Sequence, residues 1–336
     1  MSATFTLVVI VVIVALVFDF VNGFHDAANA IATIVVSKTL TPLQAGLLAG
    51  VSNFIGYFMF GTAVANMIGS GVVHIEQVTL PLLLATIAGA ILWNIMTWLL
   101  GLPTSSSHAL IGGLIGSGIA AAGAKVVIWG GVVKIFIFIF LAPILGFMAS
   151  VVFTTIIIWI FRKSTPSASS GVFKKLQLVS AVSASIGHGT NDAQKTMGII
   201  ALALYTGHVS ASFQSGKIDE WVVFAAYTAI SLGTIFGGWR IVKTMGTSIT
   251  RIREMEGFCA NAAASIVLIG TAHAGIPVST THVIAGSIMG VGTVEHAKTV
   301  RWITARKIVW AWIVTIPTSA VFAAITYLTF SPLLPK

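Results

Sequence analysis

The stretch VNGFHDAANAIAT at residues 21–33 places an aspartate inside an otherwise apolar run, and HGTNDAQKTMGII at residues 188–200 does so a second time. A carboxylate at bilayer depth costs roughly 2.5–3.5 kcal/mol on insertion scales, so packing alone is a poor reason to keep either one. Asp26 and Asp192 therefore indicate an ion or substrate pathway. The alternative is that both are interfacial residues at helix ends.

The composition indicates a helical membrane protein. Of the 336 residues 57% are hydrophobic and only 8% are charged, and apolar blocks recur from residue 4 to residue 330. Several blocks are long enough to span a bilayer of about 30 Å. The net charge of +9 lies mostly in short connections, which is the positive-inside pattern and not a nucleic-acid surface. The single cysteine excludes a disulfide framework and a cysteine-based zinc site, and no cofactor is predicted.

A second motif is also repeated. GLPTSSSH at residues 101–108 matches GIPVSTTH at 275–282, and the glycines that follow align as well, Gly112 with Gly286 and Gly116 with Gly290. The offset is 166 residues between the aspartates and 174 between the prolines, so the chain resembles a gene duplication. We predict a first transmembrane repeat at 1–161, a Ser-rich cytoplasmic linker with basic flanks at 162–175, and a second repeat at 176–336.

The apolar blocks predict an all-α polytopic membrane protein with roughly 10–12 membrane-embedded segments. The block at 126–160 is either one tilted helix or two helices broken near Pro143. Both carboxylate motifs and both Pro-Ser/Thr motifs are rich in glycine, so we expect broken or re-entrant helices at all four. The remaining predicted spans are 4–20, 43–66, 79–100, 176–206, 219–241, 257–272 and 308–330.

The first carboxylate motif predicts a cation site. Asn22, Asp26 and Asn29 are spaced four and three residues apart and share one helical face. Their oxygen atoms suit a small monovalent cation, or a proton carried on Asp26. The alternative is that the amides form hydrogen bonds between helices.

The second carboxylate motif carries its own positive charge. Lys195 follows Asp192 by three residues, and Asn191 and Gln194 provide further polar groups. Lys195 either pairs with Asp192, which is the preferred interpretation, or attracts an anionic substrate.

The two Pro-Ser/Thr motifs predict an anion site. Proline suits the first turn of a helix, where free backbone N–H groups and the positive end of the helix dipole attract anions. Two such helix starts facing each other could hold a tetrahedral oxyanion. The alternative is that the hydroxyl groups bond their own backbone. The hydroxyl groups concerned belong to Thr104, Ser105, Ser106 and Ser107 in the first copy and to Ser279, Thr280 and Thr281 in the second.

Four histidines are candidate proton carriers: His25, His108, His188 and His282. His108 and His282 occupy equivalent positions, where they donate to the anion, relay protons or bond across helices; the last role is preferred. His25 beside Asp26 is similar to the His-Asp pair of some metallohydrolases, but no further ligands follow at metal spacing. No metal site is predicted beyond a transported Na⁺.

Gly-x-x-Asp-Ala-x-Asn-Ala at residues 23–30, paired with GTNDAQKTMG at 189–198, resembles the duplicated signature of the PiT family of inorganic phosphate transporters, bacterial branch. The resemblance covers essentially the whole chain and implies two inverted repeats with re-entrant hairpins, in a multi-pass protein of the cell inner (plasma) membrane. It implies that Ser105, Ser106, Ser279 and Thr280 contact phosphate. It also implies that the coupling ion is served by Asp26, Asn29, Asn191, Asp192 and Gln194.

The function implied is a symporter that takes up inorganic phosphate with H⁺ or Na⁺ by alternating access, in contact with membrane lipid and perhaps as a homodimer. The family often has Asn where this chain has His25, and an imidazole suits proton coupling better than sodium coupling. The alternatives are another tetrahedral oxyanion such as sulfate, or a neutral metal–phosphate complex carried with protons. A channel and a membrane-embedded hydrolase are less well supported, since no nucleophile–base pair is identifiable and an enzyme is not expected.

Overall fold

The computed structural model describes residues 2–59, 62, 64–65, 71–276 and 278–334, apart from the side chains of 166–169 and 295–297. The described chain is helical throughout and contains no β-strand beyond an isolated bridge between Val73 and Val127. Its α-helices are α1 Ala3–Val36, α2 Pro42–Met59, α3 Leu80–Leu100, α4 Ser106–Ala122, α5 Trp129–Phe161, α6 Pro166–Thr206, α7 Glu220–Phe236, α8 Trp239–Lys243, α9 Glu254–His273, α10 Thr280–His296 and α11 Trp302–Phe330.

Five helices of the described chain are long and apolar enough to cross a membrane: α1, α3, α5, α9 and α11. A sixth span results if α7 and the helical segment that follows it count as one, bent by 62° at Gly237 and Gly238. Large apolar side chains on the outside of the bundle stay exposed, as Trp159 at 63% and Ile303 at 69% illustrate. Such a surface suits lipid and not water.

The first Pro-Ser/Thr motif forms the break between α3 and α4. Gly101 ends α3 with φ 66°, a left-handed conformation that glycine adopts without steric cost. Residues 102–105 are irregular, and the Ser105 hydroxyl then accepts a hydrogen bond from the backbone N–H of His108 at 3.3 Å. The predicted break is therefore confirmed at this motif. In the second motif Gly275 again has a positive φ, 67°, and α10 begins at Thr280; Pro277 lies outside the described residues.

The expectation of broken helices at the carboxylate motifs was wrong. Asp26 lies inside the continuous helix α1, and Asp192 lies inside α6, which runs for 41 residues. The glycines there serve close packing instead. A Cβ atom on Gly23 would collide with the backbone carbonyl of Ile230 in α7, and one on Gly189 would lie 2.8 Å from the backbone of Asn53 in α2.

Three predicted segments have different bounds in the structure. The block at 126–160 forms the single helix α5, with Pro143 inside it. The predicted linker 162–175 becomes helical at Pro166, so only residues 162–165 lie outside a helix. The span predicted at 43–66 ends as helix α2 at Met59, and the remainder lies largely outside the described residues.

The two predicted repeats are interlocked. Helix α4 of the first repeat packs on α11 of the second, while α10 of the second packs on α5 of the first. The aligned glycines make both contacts: Gly112 and Gly116 meet Ile316 and Ala320 of α11, and their equivalents Gly286 and Gly290 meet Pro143 and Phe147 of α5. Small residues one turn apart let membrane helices approach closely. The enclosed helices α4 and α10 are thereby held with their first turns toward α1 and α6.

Candidate functional site

The two carboxylate motifs and the two helix starts meet at one buried cluster. Helices α1 and α6 supply the carboxylates, and the first turns of α4 and α10 supply hydroxyl groups. Each predicted site residue is buried, and the most exposed, Ser107, is only 7% exposed. The cluster is therefore enclosed by protein in this conformation.

Asp26 is bonded from two directions. The Ser106 hydroxyl of α4 donates to Asp26 Oδ2 at 2.9 Å and also lies 2.6 Å from Asn22 Oδ1. The other carboxylate oxygen lies 2.6 Å from His25 Nδ1, whose second ring nitrogen is 3.0 Å from the Thr97 hydroxyl. Thr104 in turn donates to Thr97 at 3.0 Å. The helix start and the carboxylate thus form one hydrogen-bonded unit.

Asp192 has an equivalent arrangement in the second repeat. The Thr280 hydroxyl of α10 donates to Asp192 Oδ2 at 2.9 Å, as Ser106 does to Asp26. Lys195 Nζ pairs with Asp192 Oδ1 and also donates to the Ser107 hydroxyl and, at 3.0 Å, to the Val278 carbonyl. The preferred prediction for Lys195, a partner for Asp192, matches this geometry.

Further hydrogen bonds cross between the repeats. Asn29 of α1 donates to the hydroxyl of Thr281 at 2.9 Å and to that of Thr280 at 3.3 Å, both in α10. Lys195 of α6 makes the matching bond to Ser107 of α4. Each short helix therefore contacts both carboxylate motifs, and a ligand at the cluster would contact both repeats.

A cation-binding group arises only in three dimensions. Asp26, His188 and Asp192 each place one ligand atom within 4.8 Å of the others. His188 Nε2 lies 3.2 Å from Asp192 Oδ2, and its other ring nitrogen is 3.4 Å from Asn53 Oδ1. The sequence spacing around His25 indicated no further ligands, because the additional ones come from a helix 166 residues away. Two carboxylates and an imidazole suit a cation.

Four predicted site residues have other partners. Ser105 and Ser279 accept from the backbone N–H of His108 and His282, both at 3.3 Å, and so cap α4 and α10. Asn191 donates to the carbonyls of Gly187 and Leu268, and Gln194 accepts from the backbone N–H of Val64 at 2.9 Å. These side chains shape the helices around the cluster.

The equivalent histidines join the helices beside the cluster. The ring centroids of His108 and His282 are 4.8 Å apart, and His282 stacks on Trp312 of α11 with centroids 4.0 Å apart. Trp312 Nε1 also donates to the Pro103 carbonyl at 2.9 Å. One tryptophan therefore supports the segment before α4 and the first turn of α10 together.

Trp312→Phe is expected to weaken substrate binding while keeping the fold, because phenylalanine keeps the stacked ring but leaves the buried Pro103 carbonyl without its donor. An unsatisfied buried group costs about 1–3 kcal/mol. We expect a KM for the transported anion that rises about fivefold or more, measured as initial uptake against substrate concentration. Trp310→Phe, at a side chain that is 61% exposed, serves as the matched control. An unchanged KM in Trp312→Phe would contradict the supporting role.

Sequence reasoning missed one buried carboxylate. Asp19 of α1 is fully buried, and its Oδ1 accepts from the Thr196 hydroxyl of α6 at 2.8 Å. Its position was a usable signal, because it lies seven residues before Asp26, two turns along the same helical face. Asp19 thus extends the polar contact between α1 and α6 beyond the repeated motif.

Comparisons with known proteins agree with this architecture. The family model described as "Phosphate transporter family" matches residues 22–171 and 162–323. A probable low-affinity inorganic phosphate transporter of Rhizobium meliloti (strain 1021) is 47% identical over 97% of this chain and 98% of that protein, and one of Bacillus subtilis (strain 168) is 43% identical over the same shares. A solved structure titled "The sodium-dependent phosphate transporter" aligns with a TM-score of 0.85 and 25% identity, covering 98% of this chain and 100% of that one.

The relatives and the fold are those of a transporter and not of an enzyme, as expected. The apolar helices make the chain a multi-pass protein of the plasma membrane. Both the helical membrane fold and the resemblance stated from the motifs are confirmed. The chain belongs to the PiT family of phosphate transporters.

Proposed function

We propose that the protein takes up inorganic phosphate together with a cation, by alternating access. The observation that carries the proposal is the bonding of each helix-start hydroxyl to a buried carboxylate, Ser106 to Asp26 and Thr280 to Asp192. An anion held at these helix starts lies beside two carboxylates in a medium that screens charge poorly. Cations must therefore accompany it, because like charges in such a site repel strongly.

The phosphate ligands we propose are the hydroxyl groups that reach the cluster, those of Ser106, Ser107, Thr280 and Thr281. Both α4 and α10 begin beside these groups, so the positive ends of two helix dipoles point toward the same volume. Thr104, Ser105 and Ser279 support the helix starts from behind. A tetrahedral oxyanion has four oxygens to share between the two helices, which suits this arrangement.

The coupling cation we assign to the carboxylates and the side chains beside them, namely Asp26, Asn22, Asn29 and Asp192. Two chemistries are compatible with these groups. The oxygen atoms and the sodium-dependent neighbour favour Na⁺. The contact of His25 with Asp26 at 2.6 Å favours a proton.

The test is uptake of labelled phosphate by purified protein in liposomes, with an inward Na⁺ gradient and separately an inward H⁺ gradient. We expect phosphate to accumulate above its outside concentration under one of these gradients and to equilibrate only passively without either. Sodium-driven uptake assigns the oxygen cluster to Na⁺, whereas proton-driven uptake assigns the coupling to His25 and the aspartates. Absence of accumulation under both gradients overturns the proposal.

Two variations of this assay separate the remaining substrates. A hundredfold excess of sulfate is expected to leave phosphate uptake unchanged, because a fully ionised anion cannot donate a proton to the carboxylates as a protonated phosphate can. Removal of divalent metal ions with a chelator is also expected to leave uptake unchanged. If uptake stops without Mg²⁺, the substrate is the neutral metal–phosphate complex.

Alternating access follows from the same enclosure. The side chains of the cluster have almost no contact with solvent, so a substrate reaches them only after helices separate on one side. The short helices α4 and α10 contact both repeats, and we propose that they move against α1 and α6. The inverted orientation of the two repeats and a homodimeric assembly stay predictions.

A further inference from the structure

The two repeats differ at one position of the cluster. The offset of 166 residues that relates Asp26 to Asp192 also relates Asn29 to Lys195. Asn29 donates to the Thr281 hydroxyl, and Lys195 donates to the Ser107 hydroxyl. Thr281 and Ser107 are themselves equivalent, by the 174-residue offset of the second motif. Lys195 therefore occupies in one repeat the place that a neutral amide occupies in the other.

The surroundings of the Lys195 ammonium resemble those of a bound cation. Nζ is held by one carboxylate oxygen of Asp192, the hydroxyl oxygen of Ser107 and the carbonyl oxygen of Val278. Carboxylate, hydroxyl and carbonyl oxygens are the ligands that hard cations such as Na⁺ prefer. The side chain is 2% exposed, so its charge is enclosed together with that of Asp192.

The first repeat has no such tethered ammonium. Asp26 is contacted there by the neutral hydroxyl of Ser106 and by His25, and Asn29 offers an amide whose oxygen can face a cation. A free cation near Asp26 therefore gains a carboxylate and further oxygen ligands. Beside Asp192 the same volume already contains a positive charge, and a second cation would be repelled.

We propose that the Lys195 ammonium permanently replaces a coupling cation in the second repeat, so that phosphate is carried with a cation bound at the first repeat only. This inference rests on the proposed cation-coupled uptake of phosphate. Its consequence is a coupling number, the cations moved per phosphate, that is one lower than for the same chain with asparagine at both positions. Less of the cation gradient is then spent on each phosphate, which suits low-affinity uptake and limits accumulation.

The experiment compares the wild type with Lys195→Asn and Lys195→Arg in liposomes. Phosphate and cation gradients are fixed, and the membrane potential is set with K⁺ and valinomycin until net phosphate flux is zero. That reversal potential gives the charge moved per phosphate. We expect one more positive charge per phosphate in Lys195→Asn than in the wild type, because the restored amide and the freed Asp192 take up a cation. Lys195→Arg keeps the tethered charge, so its charge per phosphate equals that of the wild type.

Equal charge per phosphate in the wild type and Lys195→Asn overturns the inference. So does a Lys195→Asn protein that differs only by a higher KM for phosphate, since that result makes Lys195 an anion ligand. If Lys195→Asn does not transport, equilibrium binding of ²²Na⁺ to the purified protein decides the matter. One additional Na⁺ per chain relative to the wild type supports the inference, and an unchanged number refutes it.

The design separates this inference from the proposed function. A wild type without cation-driven phosphate uptake refutes the symport itself, whereas the number of Na⁺ bound still reports on Lys195. A wild type with such uptake but with unchanged coupling in Lys195→Asn refutes only the role of Lys195.

Discussion

Asp192→Asn is expected to reduce cation-driven phosphate uptake by about a hundredfold or more. The carboxylate accepts from Thr280 and pairs with Lys195, and all of these side chains are at most 2% exposed. Removing one partner of a buried ion pair leaves an uncompensated charge at a cost of about 3–5 kcal/mol. Each 1.4 kcal/mol corresponds to about a tenfold change, so the loss of binding at the cluster amounts to two orders of magnitude or more. The measurement is the initial rate of phosphate uptake into liposomes.

Asp26→Asn is the companion change in the first repeat, and a loss of similar size is expected. Asparagine keeps the shape of the side chain and one acceptor for Ser106, but it removes the charge that attracts the coupling cation. The matched control is Glu220→Gln, an exposed residue in the first turn of α7, which should transport as the wild type does. Elution as a single peak in detergent establishes that each variant is folded. Wild-type uptake by both folded aspartate variants would remove the carboxylates from the mechanism.

The repeated motifs made the centre of the site predictable. Asp26, Asp192, Lys195 and the hydroxyls of the helix starts are polar groups inside apolar runs, and burying such groups is costly enough that their repetition indicates a purpose. Their common location followed from the repeat, since equivalent positions in two halves meet at the interface between them. The structure brings these groups within hydrogen-bond distance of one another.

Other features depend on contacts that no local pattern contains. The glycines beside both aspartates were interpreted as helix breaks, whereas Gly23 and Gly189 are places where α7 and α2 approach a continuous helix. Sequence spacing cannot distinguish the two, because glycine both weakens a helix and permits close packing. The joining of His188 to Asp26 and the capping by Ser105 and Ser279 likewise follow from which helices pack together.

Gly116→Ala is expected to destabilise the protein, opposite to the usual effect of this substitution. In an exposed helix, alanine is more stable than glycine by roughly 0.5–1 kcal/mol. At Gly116 the added Cβ would overlap the backbone of Ala320, which cannot move without displacing α11 from α4. Forcing additional atoms into a packed contact costs about 1–3 kcal/mol. We expect a lower melting temperature in detergent and reduced uptake, because α4 carries Ser106 and Ser107 to the cluster.

Gly290→Ala should behave in the same way, since its Cβ would overlap the backbone of Phe147 in α5 at the equivalent crossing. Gly270→Ala is the matched control: this glycine is helical and exposed in α9, and no atom lies within 4 Å of an added Cβ. There the melting temperature should stay constant or rise slightly. Opposite signs at chemically identical substitutions would establish that the aligned glycines hold the two short helices against their partners. Equal melting temperatures for all three variants would mean that α4 and α10 are free to shift along α11 and α5, and the positions of the phosphate-facing hydroxyls would then depend on the bonds to Asp26 and Asp192 alone.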